Sequence, residues 1–112
     1  MNIPEEGYLL RIFVGESDKQ GHQPLYETIV LKAREAGLAG ATVLRGVMGF
    51  GKHSILHTAK ILRLSEDLPM IVEIVDSLEK IESFIPVLDH LITDGLVTLE
   101  RVRVIHYRAP GG

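Results

Sequence analysis

Two segments, residues 8–15 and 68–76, carry apolar side chains on both of their faces, and this restricts the fold more than any other feature of the chain. The first reads Tyr-Leu-Leu-Arg-Ile-Phe-Val-Gly and the second Leu-Pro-Met-Ile-Val-Glu-Ile-Val-Asp. A β-strand sends successive side chains to opposite faces, so Leu10, Ile12 and Val14 with Met70, Val72 and Ile74 make one apolar layer. Leu9, Arg11 and Phe13 with Ile71, Glu73 and Val75 make the other. Strands of this kind belong at the centre of a sheet covered on both sides, with Arg11 and Glu73 placed to pair across strands or across chains.

Elsewhere the apolar period changes to that of a helix. Leu25, Ile29, Ala33 and Ala36 recur at helical spacing against Glu27, Lys32, Arg34 and Glu35, which predicts a helix over 24–37 opened by Pro24 and stopped by Gly37. Leu78, Ile81, Phe84, Ile85, Leu88, Leu91 and Ile92 predict a second helix, capped by Asp76 or Ser77 and ended by Thr93-Asp94-Gly95. Pro86 lacks an N–H and is expected to kink this helix or split it near Ser83. Further strands are predicted over 41–48 and 101–107. The resulting β-α-β-β-α-β order is the α+β, ferredoxin-like arrangement, a four-stranded antiparallel sheet with two helices on one face. The helices cover one apolar layer. The other needs a second subunit over it, which predicts a closed oligomer.

A chain of 112 residues with 46% hydrophobic content is expected to make one domain, with loose ends at about 1–7 and 109–112. Its net charge of -3 argues against a protein that coats nucleic acid, which needs a basic field over one face. The absence of cysteine excludes disulfides and thiolate metal sites. No basic stretch leads into an apolar run near Met1, and no segment offers the roughly 18 continuous apolar residues of a membrane span. A cytoplasmic protein without direct membrane insertion is the expectation.

The stretch Arg45-Gly46-Val47-Met48-Gly49-Phe50-Gly51-Lys52 leaves a predicted strand for a polar segment bearing His53, His57, Lys60 and Arg63. Glycines beside cations suit an anion such as phosphate, because their amides can be approached closely; they equally suit a strand end followed by a hairpin turn. The cations Arg45, Lys52, Lys60, Arg63, Arg101, Arg103 and Arg108 cluster in this region and in the last strand. In an oligomer the glycine bend of one subunit can meet the arginines of another and focus positive potential on an acidic protein; each arginine taken singly can instead keep a strand edge soluble. His53 and His57 would share a face if the segment coiled, a possible metal pair needing a third ligand such as Glu66, Asp67 or His106. His22 and His90 read as surface residues. Ser54 lacks a positioned base, and residues 46–52 lack the Ser or Thr that follows Lys in a nucleoside-triphosphatase loop. No catalytic residue is therefore expected.

The run from Gly37 to Gly51, Gly-Leu-Ala-Gly-Ala-Thr-Val-Leu-Arg-Gly-Val-Met-Gly-Phe-Gly, followed by Lys52, resembles the helix end, second strand and loop entry of the PII signalling superfamily. The resemblance extends over 8–107 and is closer to the short, PII-like branch. It implies a homotrimer of ferredoxin-like subunits with inward-facing sheets, and an adenine nucleotide (AMP, ADP, ATP or cyclic AMP) in the clefts between subunits. It further implies a T-loop, here about 50–68, that docks on a partner such as a membrane transporter or channel. Carried over, Thr42 and Val43 border the nucleobase, Gly49, Gly51 and Lys52 form the T-loop base, and Arg101 and Arg103 face the phosphates. Phe50, His53, Ile55, His57 and Lys60 fall on the partner-binding loop. The PII loop after helix two is rich in glycine with a lysine; Thr93-Asp94-Gly95-Leu96-Val97-Thr98 has one glycine and no lysine, which argues against a tight hold on a triphosphate. The T-loop tyrosine that many PII proteins modify has no counterpart between Lys52 and Leu68, excluding uridylylation there. Two rivals share the topology. A trimeric divalent-metal-binding protein similar to the cation-tolerance family would use His53 and His57. An acylphosphatase would need an arginine soon after the first strand, and 15–21 contains none.

Overall fold

Alternation in residues 8–15 and 69–76 does what the pattern requires: the strand β1 (Glu6–Gly15) lies beside β3 (Pro69–Asp76), with Leu9 opposite Val75, Arg11 opposite Glu73 and Phe13 opposite Ile71. The computed structural model describes residues 5–50 and 67–108 and the backbone of 57–58. Strands β2 (Thr42–Arg45) and β4 (Leu96–Arg103) complete a four-stranded antiparallel sheet in the order β2-β3-β1-β4. Helices α1 (Leu25–Glu35) and α2 (Leu78–Leu91) pack on one face, giving the ferredoxin-like arrangement.

The core lies between that face and the helices. Leu10, Ile12, Val72 and Ile74 from the sheet meet Ile29 from α1 and Ile81, Phe84 and Leu88 from α2, all buried. Burial of each such side chain contributes roughly 1.5–3 kcal/mol, which is what holds two short helices to the sheet. Asp76 is the charged member of this interior, 1% exposed at the end of β3. Its Oδ1 accepts from the Ser77 amide at 2.7 Å and its Oδ2 from the Ala39 amide at 2.9 Å, so one carboxylate joins the start of α2 to the segment leading into β2. Ser77 caps α2, accepting from the Lys80 amide through its hydroxyl.

Four expectations are corrected in detail. α2 runs unbroken through Pro86. The proline and Glu82 both face solvent, where water can take the place of the intrahelical donor that the Glu82 carbonyl loses. The last strand is Leu96–Arg103, not 101–107: Gly95 turns so tightly against β1 that an added Cβ would lie 2.7 Å from the Phe13 carbonyl oxygen, which starts pairing at Leu96. Glu6 and Gly7, expected to be loose, belong to β1, because Glu6 pairs with Arg103. β2 stops at Arg45, and Met48–Gly49 forms a separate short ladder with His57–Thr58.

The sheet's second face is open in the single chain. Leu9, Phe13, Ile71 and Val75 are half-buried there, and register adds the exposed Leu44 and Leu96. At its centre Arg11 Nε lies 2.8 Å from Glu73 Oε2 and its Nη1 3.4 Å from Glu100 Oε1. The hydrogen bond to Glu73 raises the Arg11 pKa above the ordinary arginine value, against a smaller effect of desolvation, so the guanidinium keeps its charge. Among the described residues no helix is long and apolar enough to cross a membrane.

Candidate functional site

The bend that follows β2 is shaped by proline rather than by left-handed backbone. Among the described residues only Gly21 and Gly37 have positive φ. Gly46 and Gly49 are needed for close approach instead: a Cβ on Gly46 would lie 2.6 Å from Pro69 Cγ, and one on Gly49 3.1 Å from the same atom. Both glycines let the bend lie flat on the first residue of β3. The Gly46 amide donates to the Pro69 carbonyl at 2.7 Å and is thereby committed to the fold.

The turn after β1 holds both roots of the connection between β2 and β3. Arg45 Nη2 pairs with Glu16 Oε1 at 2.9 Å on one side. On the other, Asp67 Oδ1 accepts from the Ser17 amide at 2.7 Å and the Glu16 amide donates to the Leu68 carbonyl at 2.9 Å. Asp18 closes the turn by accepting from the Gly15 amide at 2.8 Å. Sequence reasoning passed over Glu16, Ser17 and Asp18 as ordinary loop; their polar run directly after a strand was the available signal. Asp67, read as a possible metal ligand, has one carboxylate oxygen engaged here.

Thr42 and Val43 lie on β2, an edge strand of the sheet. Thr42 is exposed and pairs with Glu73; Val43 packs against the core, so only its backbone is available at the edge. Phe50 is 74% exposed, with Val47 and Met48 beside it in sequence also exposed. Arg101 and Arg103 stand toward the far end of β4, opposite Tyr8 and Glu6, whereas the bend sits at the Leu96 end. Along the strands that is roughly 25 Å. Within one chain the structure therefore does not bring the arginines to the glycines. Each arginine meets a carboxylate instead, Arg101 Nε to Glu6 Oε1 and Arg103 Nε to Glu5 Oε1, both at 3.0 Å.

Gly51, Lys52, His53, Ile55, Lys60 and the side chain of His57 lie outside the described residues. Among the described residues no three His, Cys, Asp or Glu side chains gather to hold a metal. His106 is exposed with Arg108 Nη2 3.4 Å from its Nδ1.

An antiparallel sheet in this order, two helices on one face and a long connection between β2 and β3 define a ferredoxin-like subunit with an extended central crossing. The chain belongs to the DUF190 family, described as "Uncharacterized ACR, COG1993", which it matches over residues 7–104. It is 41% identical over 98 residues to a UPF0166 protein of Aquifex aeolicus (strain VF5), covering 88% of this chain and 92% of that one. It is 35% identical to the UPF0166 protein MJ1524 of Methanocaldococcus jannaschii, covering 81% and 84%. Among solved structures it is similar to CPII, a nitrogen regulatory PII-like protein from Thiomonas intermedia K12 bound to ADP, AMP and bicarbonate, with a TM-score of 0.60, 18% identity and 88% of each chain covered. It is also similar to B. subtilis GlnK in its ATP complex, with a TM-score of 0.53, 13% identity and coverage of 90% and 85%. At these identities the likeness is one of fold.

Proposed function

We propose that this protein is a non-catalytic PII-like sensor that closes into a homotrimer, binds an adenine nucleotide in the clefts between subunits and signals to a partner through the segment 50–68. The carrying observation is the separation of the glycine bend and the arginines to opposite ends of one sheet. Only a neighbouring copy can bring the Arg101 and Arg103 guanidinium groups to the bend, and the open apolar face gives copies a reason to associate. Thr42, the backbone of Val43, Gly49, Gly51 and Lys52 would come from one subunit, Arg101 and Arg103 from the next. That CPII and GlnK have been captured with adenine nucleotides supports the choice of ligand.

The partner surface starts at Phe50, whose exposed ring beside Val47 and Met48 offers apolar area that the subunit itself does not cover. It would continue through His53, Ile55, His57 and Lys60, and a membrane transporter or channel is the class of partner this reading favours. Ligand binding would act by preferring one arrangement of the segment over another, since a ligand with equal affinity for both shifts nothing.

Titration calorimetry with AMP, ADP, ATP and cyclic AMP is the direct test, and absence of heat from all of them at high protein concentration removes the nucleotide from the proposal. Gly49→Val is expected to weaken the bound nucleotide about tenfold, since the new side chain must displace the bend from Pro69, about 1.4 kcal/mol of binding. The variant's sedimentation should match the wild type. Dissociation into monomers would show instead that Gly49 serves assembly.

A further inference from the structure

The cations proposed for phosphate are already matched by carboxylates of the same chain. A surface hollow is lined by Glu5, Glu6, Arg101, Val102 and Arg103. The matching is built on backbone register rather than on chance meeting of long side chains. Glu6 sits directly opposite Arg103 across the ladder and reaches diagonally to Arg101, while the Val104 amide donates to the Glu5 carbonyl at 2.6 Å and fixes Glu5 beside Arg103. All four charged side chains are exposed, so each pair is weak enough for a more highly charged oxyanion to displace it.

We infer that Glu5 and Glu6 are specificity-determining residues: internal carboxylates that compete with a ligand's phosphates for Arg101 and Arg103. This rests on the nucleotide reading above. An uncharged nucleoside has nothing to offer the two guanidiniums in exchange for their carboxylates. A phosphorylated ligand does, because phosphate carries more charge and more acceptor oxygens than the carboxylate it replaces. The two pairs therefore set a threshold of charge for entry.

The test is titration of the full chain with ADP and with adenosine at one fixed ionic strength. Glu5→Gln/Glu6→Gln is expected to bind ADP about three- to tenfold more tightly than wild type, the effect of removing two weak surface competitors, and adenosine unchanged. Glu82→Gln, exposed in the middle of α2, controls for net charge and should change neither. Arg101→Gln/Arg103→Gln should lose most ADP affinity while keeping the wild-type oligomer. ADP binding by the glutamine double variant but not by wild type would support the inference in its strongest form. Equal or weaker ADP binding by that variant, an equal gain in Glu82→Gln, an equal gain for adenosine, or full ADP binding without the two arginines would each overturn it while wild-type binding still upheld the nucleotide reading. If neither wild type nor the double variant takes up ADP or any other adenine nucleotide, the reading itself falls and takes the inference with it.

Discussion

Phe13→Glu is expected to run as a monomer in sedimentation at concentrations where the wild type forms the proposed trimer. Phe13 is half-buried on the open face, between Ile71 on β3 and the exposed Leu96 on β4. In an assembly that closes over this face, three introduced carboxylates would be taken out of water beside an Arg11 already shared between Glu73 and Glu100. Burying an unpaired charge costs several kcal/mol per site after relaxation, more than one apolar patch returns. The isolated subunit should keep its fold, since the core lies on the other face with Leu10, Ile12 and Val14. An unchanged trimer would mean that the open face is not the interface. A wild type that is monomeric at every concentration would remove the shared cleft altogether.

Asp76→Ala is expected to lower the unfolding free energy by about 3 kcal/mol, read as a shift of the denaturation midpoint at fixed protomer concentration. The carboxylate is 1% exposed and accepts from two backbone amides, Ser77 and Ala39. Alanine leaves both donors without their partner and loses two charge-assisted hydrogen bonds at once. Asp76→Asn, which retains one carbonyl oxygen, should fall between the two. A loss below about 1 kcal/mol for alanine would mean that water reaches both amides, and the carboxylate would then be a capping convenience rather than the join between α2 and β2.

The alternation of Leu10, Ile12 and Val14 with Met70, Val72 and Ile74 made the central pair and its buried face readable, because a period of two admits one assignment of faces once helices cover one of them. The stripe of Ile81, Phe84 and Leu88 made α2 equally plain. What misled was local chemistry that tertiary placement overrode. Pro86 reads as a break, and its exposure makes the lost hydrogen bond tolerable. Leu96-Val97-Thr98 reads as the tail of a loop, and its pairing with Phe13, Ile12 and Arg11 comes from residues more than eighty positions away. At the candidate site the glycines were visible but their reason was not: no rule of composition reveals that Pro69 will lie under Gly46 and Gly49. Likewise Glu5 and Glu6 looked like part of a loose end until register set them beside Arg103 and Arg101.

The distance between bend and guanidiniums along one sheet has a further consequence for a closed ring. Every subunit would hold half of two different crevices, lending its glycines to one and its arginines to the other. A defect at either end of a chain would then spoil a single crevice per copy. Rings mixed from chains damaged at opposite ends would contain whole crevices that neither parent can build, alongside others damaged twice over.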